Sequence, residues 1–427
     1  MKITSIDVFD FAKCLNYEDC APICIRINTD AGISGFGEVG LAYGNAHYAG
    51  VGMVRDFGQL IIGMDPLRSE AIREKLFRTT FWGMGGGTVI NAGMSAIDIA
   101  LWDIKGKYYN VPVYQMLGGK TNDKLRAYAS QIQFDWDLED RNMITPEQYA
   151  EAAKKAMAQG YTAVKVDPVG VAASGNWQRT KQDADWRLRG QLPQNVLELV
   201  RARLKAIRDL DSALDIIIEL HSFTDTSTAI QLANYIDDLN IMYYEEPVHP
   251  LNAVSMREIK DKIKIPIASG ERIYTRLGYR PFFENRSLSV IQPDVCLCGG
   301  ISETKKICDM ADTYRMDVSF MTAPPFSTGK IRRHTGGRPA GPCGTGLFPQ
   351  SVPRSPAAAK APARSFRRRP RPKAATARRK RRSARRTGVR PAAPQAPPRQ
   401  AGCPSQKPLR RHLPGLRRRP RRPSAPP

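Results

Sequence analysis

The 427-residue chain contains no aspartate or glutamate after Asp317. Its net charge of +24, from 65 Lys and Arg against 41 Asp and Glu, is therefore unevenly placed. Residues 324–427 hold 29 of the basic residues, leaving 36 basic against 41 acidic ahead of them, a balance of −5. A mildly acidic globular part carries a strongly basic tail, so the overall charge does not mark the globular part as a nucleic-acid binder. Histidine is scarce: there are five, and none lies between His249 and His334. The eight cysteines lack paired zinc spacing, with Cys296 and Cys298 one residue apart and Cys14, Cys20 and Cys24 without partners at finger distance. No apolar run is long enough to span a bilayer. The opening "MKITSIDVFD" reads as an alternating strand and not as an export signal. The expectation is a cytoplasmic protein with reduced thiols and no membrane partner.

What is present has a clear order. Residues 1–124 read as an α+β domain, with strand patterns at "KITSIDVFDF" and "APICIRINTD". The stretch "DAGISGFGE" reads as a turn, and three helical patterns follow at "YAGVGMVRDFGQLIIG", "RSEAIREKLFRTT" and "NAGMSAIDIALWDIKGKYY". The "GMGGG" at 83–87 is a weak phosphate-loop signal, because it follows a helix and not a strand; it reads as a flexible loop. From 125 to 323 short apolar strands alternate with amphipathic helices, beginning with "LRAYASQI" and ending in a seventh strand at "MDVSFM". Strands that are apolar throughout are buried on both faces, and seven such units in series favour a (β/α) barrel over an open sheet. Residues 324–427, rich in Arg, Pro and Ala, have almost no aliphatic periodicity and read as disordered.

In such a barrel the chemistry sits where strands end. The second strand ends in Lys165 and Asp167, the third in Glu219 and His221, the fourth in Glu245 and Glu246, the fifth in Glu271 and the sixth in Asp294. Glu219, Glu245 and Glu271 are each 26 residues apart, which would put three carboxylates at equivalent points on adjacent strands. Converging carboxylates repel one another, and a divalent cation removes that conflict; oxygen donors suit Mg²⁺ best and Mn²⁺ next. Either Glu245 or Glu246 could be the fourth-strand ligand, and equal spacing favours Glu245. Lys165 is read either as a base whose pKa burial lowers or as a structural partner of a barrel carboxylate. His221 shares a strand face with Glu219 and is either a proton donor or a loop histidine. His249 and His47 are assigned to the substrate pocket or the surface.

These segments resemble the enolase superfamily in its mandelate racemase/muconate lactonizing enzyme branch. The resemblance runs through "GFGEVG", "AIDIALWDIKGK", "VPVYQMLGG", "VKVDP", "IELHSF", "YYEEPVHP", "IASGERIYTR" and "IQPDVCLCGGISETKKI", over about residues 1–322. It implies an N-terminal α+β capping domain and a modified (β/α)₇β barrel of the TIM type. It also implies abstraction of the proton α to a carboxylate through an enediolate, with Mg²⁺ on Glu219, Glu245 and Glu271. His221, two residues past the third-strand ligand, and "GERIYTR" look like the sugar-acid dehydratases, which convert an aldonate to a 2-keto-3-deoxy acid. There His221 would protonate the leaving hydroxyl, Lys165 and Asp294 would act in proton transfer, and Asp167, Glu246 and His249 would contact substrate. Racemases, epimerases and cycloisomerases of the same family are the alternative, and family analogy suggests a homo-oligomer.

Three departures stand out. The second strand carries Lys165-Val166-Asp167 in place of Lys-x-Lys, the seventh strand lacks the histidine that would pair with Asp294, and an eighth strand is unrecognisable. The lost pattern and the lost acids begin together, near 318–324, which suggests an out-of-frame extension that leaves the barrel truncated. If the tail is native, its Arg-rich runs would bind nucleic acid electrostatically and without sequence choice, attached to a catalytically dead remnant.

Overall fold

Ile23, Ile25 and Ile27 are fully buried while the residues between them are partly exposed, the signature of a strand packed on one face. In the computed structural model this strand, β2 (Ile23–Thr29), pairs antiparallel with β1 (Ile3–Asp10) and with β3 (Ser34–Val39). Residues 1–11, 23–41, 46–136, 141–177, 188–320 and 345–348 are described. The chain divides into two compact units, Met1–Pro356 and Ala357–Pro427, and every described residue belongs to the first. Cys14 and Cys20 lie outside the described residues.

Strand β3 occupies part of the stretch read from sequence as a turn. Its glycines are there for packing. A Cβ on Gly35 or Gly37 would lie within 2.1 Å of the carbonyl oxygens of Ala100 or Ala96, on the helix α2 (Thr88–Tyr109). Helices α1 (Ala46–Ile61) and α2 cover the sheet, and Val54, Phe57, Ile61, Ala96, Ala100 and Ile104 close its core. The 83–87 segment forms a short 3₁₀ turn at Gly83–Gly85 and then enters α2 through Gly87.

All seven expected parallel strands are present. They are β4 (Arg126–Ala129), β5 (Ala163–Val166), β6 (Asp215–Glu219), β7 (Ile241–Glu245), β8 (Ile267–Ser269), β9 (Val290–Ile291) and β10 (Asp317–Val318). They lie in sequence order in one curled parallel sheet. The connecting helices are α3 (Pro146–Ala158), α4 (Gln194–Arg208), α5 (Thr226–Tyr235), α6 (Ala253–Lys262), α7 (Thr275–Glu284) and α8 (Gly300–Thr313). Local chemistry starts several of them. Thr145 forms a capping box with Gln148, Asp225 accepts from the Thr228 amide, and Asn252 from that of Ser255. The outward faces of the strands, including Val164, Val166, Ile216, Ile218 and Ile291, pack on these helices.

The sheet does not close among the described residues. It ends at β10, and beyond β4 it ends at β11 (Thr345–Phe348), which runs antiparallel to β4. Strand β11 falls within the segment read as disordered; the rest of that segment lies outside the described residues. The exposed ladder of β4 offers unpaired backbone groups, and "TGLF" is among the few tail stretches without Pro or Arg able to pair with it.

Candidate active site

Strand parity builds the site. Tyr128, Ala163, Ile217, Tyr243, Ala268 and Val290 meet inside the curled sheet as an apolar floor. Inward positions recur every second residue, so the next layer toward the strand C-terminal ends is Lys165, Glu219, Glu245 and Gln292. At β8 that level is Gly270, where a Cβ would stand 2.5 Å from the amide nitrogen of Gln292. Glu219 and Glu245 are direct partners across the β6–β7 ladder. The Lys165 Nζ lies 3.0 Å from Glu219 Oε2 and 2.7 Å from Glu245 Oε1, with all three side chains buried. Gln292 donates to the other oxygen of Glu245 at 2.7 Å.

Glu271 is placed differently from the expectation of three level carboxylates. Glu245 pairs with Ala268, so Glu271 stands past the end of the short strand β8, in the loop at the mouth. The offset between β7 and β8 is set by that pairing, and equal spacing in sequence does not translate into equal height. Glu271 keeps 23 % side-chain exposure, yet burial and then the charges of Glu246 and Glu219 push its carboxyl up to about 8. Burial and the neighbouring Glu219 carboxylate hold Glu245 well above the usual range.

Lys165 departs from the expectation of a lowered pKa. Burial acts in that direction, but the surrounding Glu245, Tyr128, Glu219 and Glu271 outweigh it and hold the ammonium protonated. The second of the two sequence readings, a lysine paired with barrel carboxylates, describes the arrangement.

His221 turns out of β6 with φ 46°, and its amide donates to Glu219 Oε1 at 2.6 Å. Its Nδ1 lies 3.7 Å from Asp167 Oδ2 and 3.6 Å from Glu219 Oε1. Asp167 is fully buried; its Oδ1 accepts from the Gly170 and Val169 amides at 2.8 and 3.2 Å, which turns the loop after β5. Glu246 is also buried, but its carboxylate is taken up by Arg272 and Ser222. Asp294 sits after β9, its Oδ1 accepting from the Cys296 amide at 2.7 Å, and burial pushes it up to about 7. His249 is exposed in the loop after β7, its Nδ1 accepting from the Leu251 amide at 3.2 Å. His47 is buried on α1, its ring 3.9 Å from that of Tyr48 and tilted 38° to it. Sequence reasoning missed Gln292, Ser222 and Arg272. Parity with Val290 would have found Gln292; Ser222 and Arg272 lie inside the quoted "IELHSF" and "GERIYTR", but neither was given a role.

Converging carboxyls held above their usual range call for a positive charge, and the Lys165 ammonium supplies it between Glu219 and Glu245. As placed, no group of three His, Cys, Asp or Glu side chains among the described residues is close enough to hold a metal ion. The Lys165 ammonium lies between two of the expected ligands.

Residues 17–118 match the family described as Mandelate racemase / muconate lactonizing enzyme, N-terminal domain, and residues 148–332 match Enolase C-terminal domain-like. A D-galactonate dehydratase of Variovorax paradoxus is 31% identical over 303 residues, 71% of this chain and 71% of that protein. The chain belongs to the mandelate racemase/muconate lactonizing enzyme family of the enolase superfamily. A D-xylonate dehydratase of Haloferax volcanii is 33% identical over 300 residues, 70% of this chain and 68% of that protein. Among solved structures, a member of the enolase superfamily from Salmonella Typhimurium is 52% identical with a TM-score of 0.72, covering 77% of this chain and 82% of that one. An enolase from Agrobacterium radiobacter, bound to Na and L-malate, is 25% identical with a TM-score of 0.63, covering 76% of this chain and 75% of that one. The curated relatives are dehydratases, and this family member is an enzyme of the lyase class. None of its described helices is long and apolar enough to cross a membrane.

Proposed function

We propose that this protein dehydrates an aldonate-type acid sugar to a 2-keto-3-deoxy acid in a Mg²⁺-dependent reaction. The observation that carries the reading is the Glu219–Glu245 pair at the inner mouth of the sheet, with Lys165 between them. Its support in sequence is the identity to D-galactonate, D-xylonate and D-gluconate dehydratases. Glu219, Glu245 and Glu271 would hold Mg²⁺, with Mn²⁺ the next choice. When bound, the cation supplies positive charge against the substrate carboxylate as negative charge develops there.

The remaining steps fall to the chain. A base removes the proton α to the carboxylate, a role for which Lys165 and Asp294 are the candidates. His221 gives a proton to the β-hydroxyl as its C–O bond breaks, and water leaves. Asp167 stands 3.7 Å from the imidazole Nδ1, near enough to favour its charged form. The enol left behind takes up a proton and becomes the 2-keto-3-deoxy acid.

A second reading, a metal-binding protein without turnover, is favoured by the seventh-strand sequence, which lacks a histidine to pair with Asp294. A panel of D-galactonate, D-xylonate and D-gluconate with Mg²⁺ separates the two, scored by appearance of the 2-keto-3-deoxy product and its loss with EDTA. Metal binding without product from any of the acids defeats dehydration of all three and supports the second reading.

A further inference from the structure

One candidate residue at the end of each of β6, β7 and β8 is followed directly by a polar side chain that contacts the other two such side chains. Ser222 follows His221, Glu246 follows Glu245, and Arg272 follows Glu271. The Arg272 Nη2 donates to Ser222 Oγ at 3.0 Å and also to Glu246 Oε2, and its Nε donates to Glu246 Oε1 at 3.3 Å. Ser222 Oγ lies 3.4 Å from Glu246 Oε2. Glu246 is fully buried, so its charge is matched by one guanidinium, whose side chain is 39% exposed at the mouth. The backbone continues the tie: the Ser222 amide donates to Glu246 O at 2.8 Å, and the Glu246 amide to Ala268 O at 3.0 Å. Three of the residues tied in this way, His221, Ser222 and Glu246, hold left-handed φ values of 46°, 63° and 43°. L residues adopt that conformation only when the surroundings impose it.

We infer that Ser222, Glu246 and Arg272 form a positioning unit that cross-ties the loops after β6, β7 and β8 and fixes His221, Glu245 and Glu271 relative to one another. This moves Glu246 from the substrate-contact role expected from sequence to a supporting one, because its carboxylate oxygens are engaged by Arg272 and Ser222. The catalytic consequence rests on the proposed dehydratase reading; the mechanical tie does not. A bidentate fork is essential to it, since a lysine ammonium cannot hold Ser222 Oγ and both oxygens of Glu246 in one plane.

The test uses the full chain carrying Arg272→Gln, Arg272→Lys or Ser222→Ala, the last removing a single oxygen and leaving the charge pair. Amide hydrogen exchange is followed peptide by peptide. In Arg272→Gln and Arg272→Lys, residues 220–224 and 245–248 exchange faster by about tenfold or more, while helix α5 is unchanged. Ser222→Ala shows the same pattern more weakly, concentrated in 220–224. On an acid sugar that the parent chain turns over, kcat falls by about tenfold with KM within about threefold, the mark of misplaced groups and not of lost binding. A parent chain that turns over none of the acids defeats the dehydratase reading alone, and the exchange pattern still decides the tie. Acceleration confined to residues 270–275, or Arg272→Lys exchanging like the parent, overturns the inference.

Discussion

Arg203 is a buried cation that, among the described residues, bonds to backbone carbonyls and not to an acid. Its guanidinium donates to Ile144 O at 3.0 and 2.7 Å, to Pro168 O at 2.9 Å and to Val171 O at 2.7 Å, and it stacks 4.9 Å from the Tyr149 ring. It thereby holds both the entry to α3 and the loop after β5 that carries Asp167. Arg203→Met leaves three carbonyls without a partner in a dry interior and should destabilise the fold by about 3 kcal/mol or more. Urea unfolding checks this: a lower midpoint at unchanged slope is expected, and a loss under about 1 kcal/mol would contradict it. Such a residue is invisible in sequence, where "VRARLKAIRDL" reads as an amphipathic helix with a solvated basic face. Lys165, Glu219 and Glu245 were legible because the two-residue pleat puts strand-end positions on a shared face. The height of Glu271 was not, because the register of β8 against β7 is set by pairing and not by spacing. His249 follows the conspicuous "EEP" and still faces solvent, since its loop position obeys no strand parity.

Helices α2 and α8 meet along a seam between the N-terminal domain and the strand-and-helix part of the chain. Asp98 accepts from the Ser302 amide at 2.9 Å and from Ser302 Oγ at 2.6 Å, so the carboxylate caps the first turn of α8 from the other domain. Trp102 donates to the same hydroxyl at 2.8 Å, and Gly300, at φ 82°, leaves room where a Cβ would fall 2.5 Å from Asp98. The segment "AIDIALWDIKGK" is thus docking machinery, a role that periodicity alone does not reveal. Strands β4 to β10 were legible as apolar runs between amphipathic helices, whereas β3 was hidden by glycines that serve helix contact. The seam also predicts a pH effect. Burial, and then the charge of Asp294, push Glu38 at the end of β3 up to about 7. Between the ordinary carboxylate range and about 7, the folded chain binds more protons here than the unfolded chain. Its contribution is fully present in acid and is lost as pH rises through that window. Glu38→Gln should therefore match the parent in melting temperature near the unperturbed carboxylate pKa, gain on it as pH rises and level off above 7. A gain that is the same at every pH would show that Glu38 is not protonated in the fold.

At the scale of the whole molecule, two boundaries coincide. The last acid is Asp317, and the last parallel strand is Asp317–Val318. The family match runs on to residue 332, and the aligned segment takes in about 70% of the two dehydratases' lengths (71% and 68%), so those relatives carry further sequence beyond the alignment. A seven-stranded parallel sheet whose terminal strands β10 and β4 do not pair with each other leaves ladder groups unsatisfied, and β11 occupies one of those edges from a segment free of acidic residues. A curled sheet of this kind favours closure, because closure alone removes both edges. Sequence patterning stopped being legible at the same place, which is what a change of reading frame produces: nucleotide order is kept, every codon changes, and residue periodicity is lost. We propose that residues from about 318–324 onward are read out of frame. Sequencing the coding DNA across codons 315–330 should find a single-base insertion or deletion, and an intact reading frame would refute the proposal. The frame-corrected chain should restore a histidine able to reach Asp294, remain monodisperse or a defined oligomer in light scattering where the chain as written self-associates through its open edges, and turn over acid sugars faster. If the frame proves intact, the basic segment is native. DNA retention should then fall steeply with salt and vanish on deletion of residues 357–427, the second compact unit.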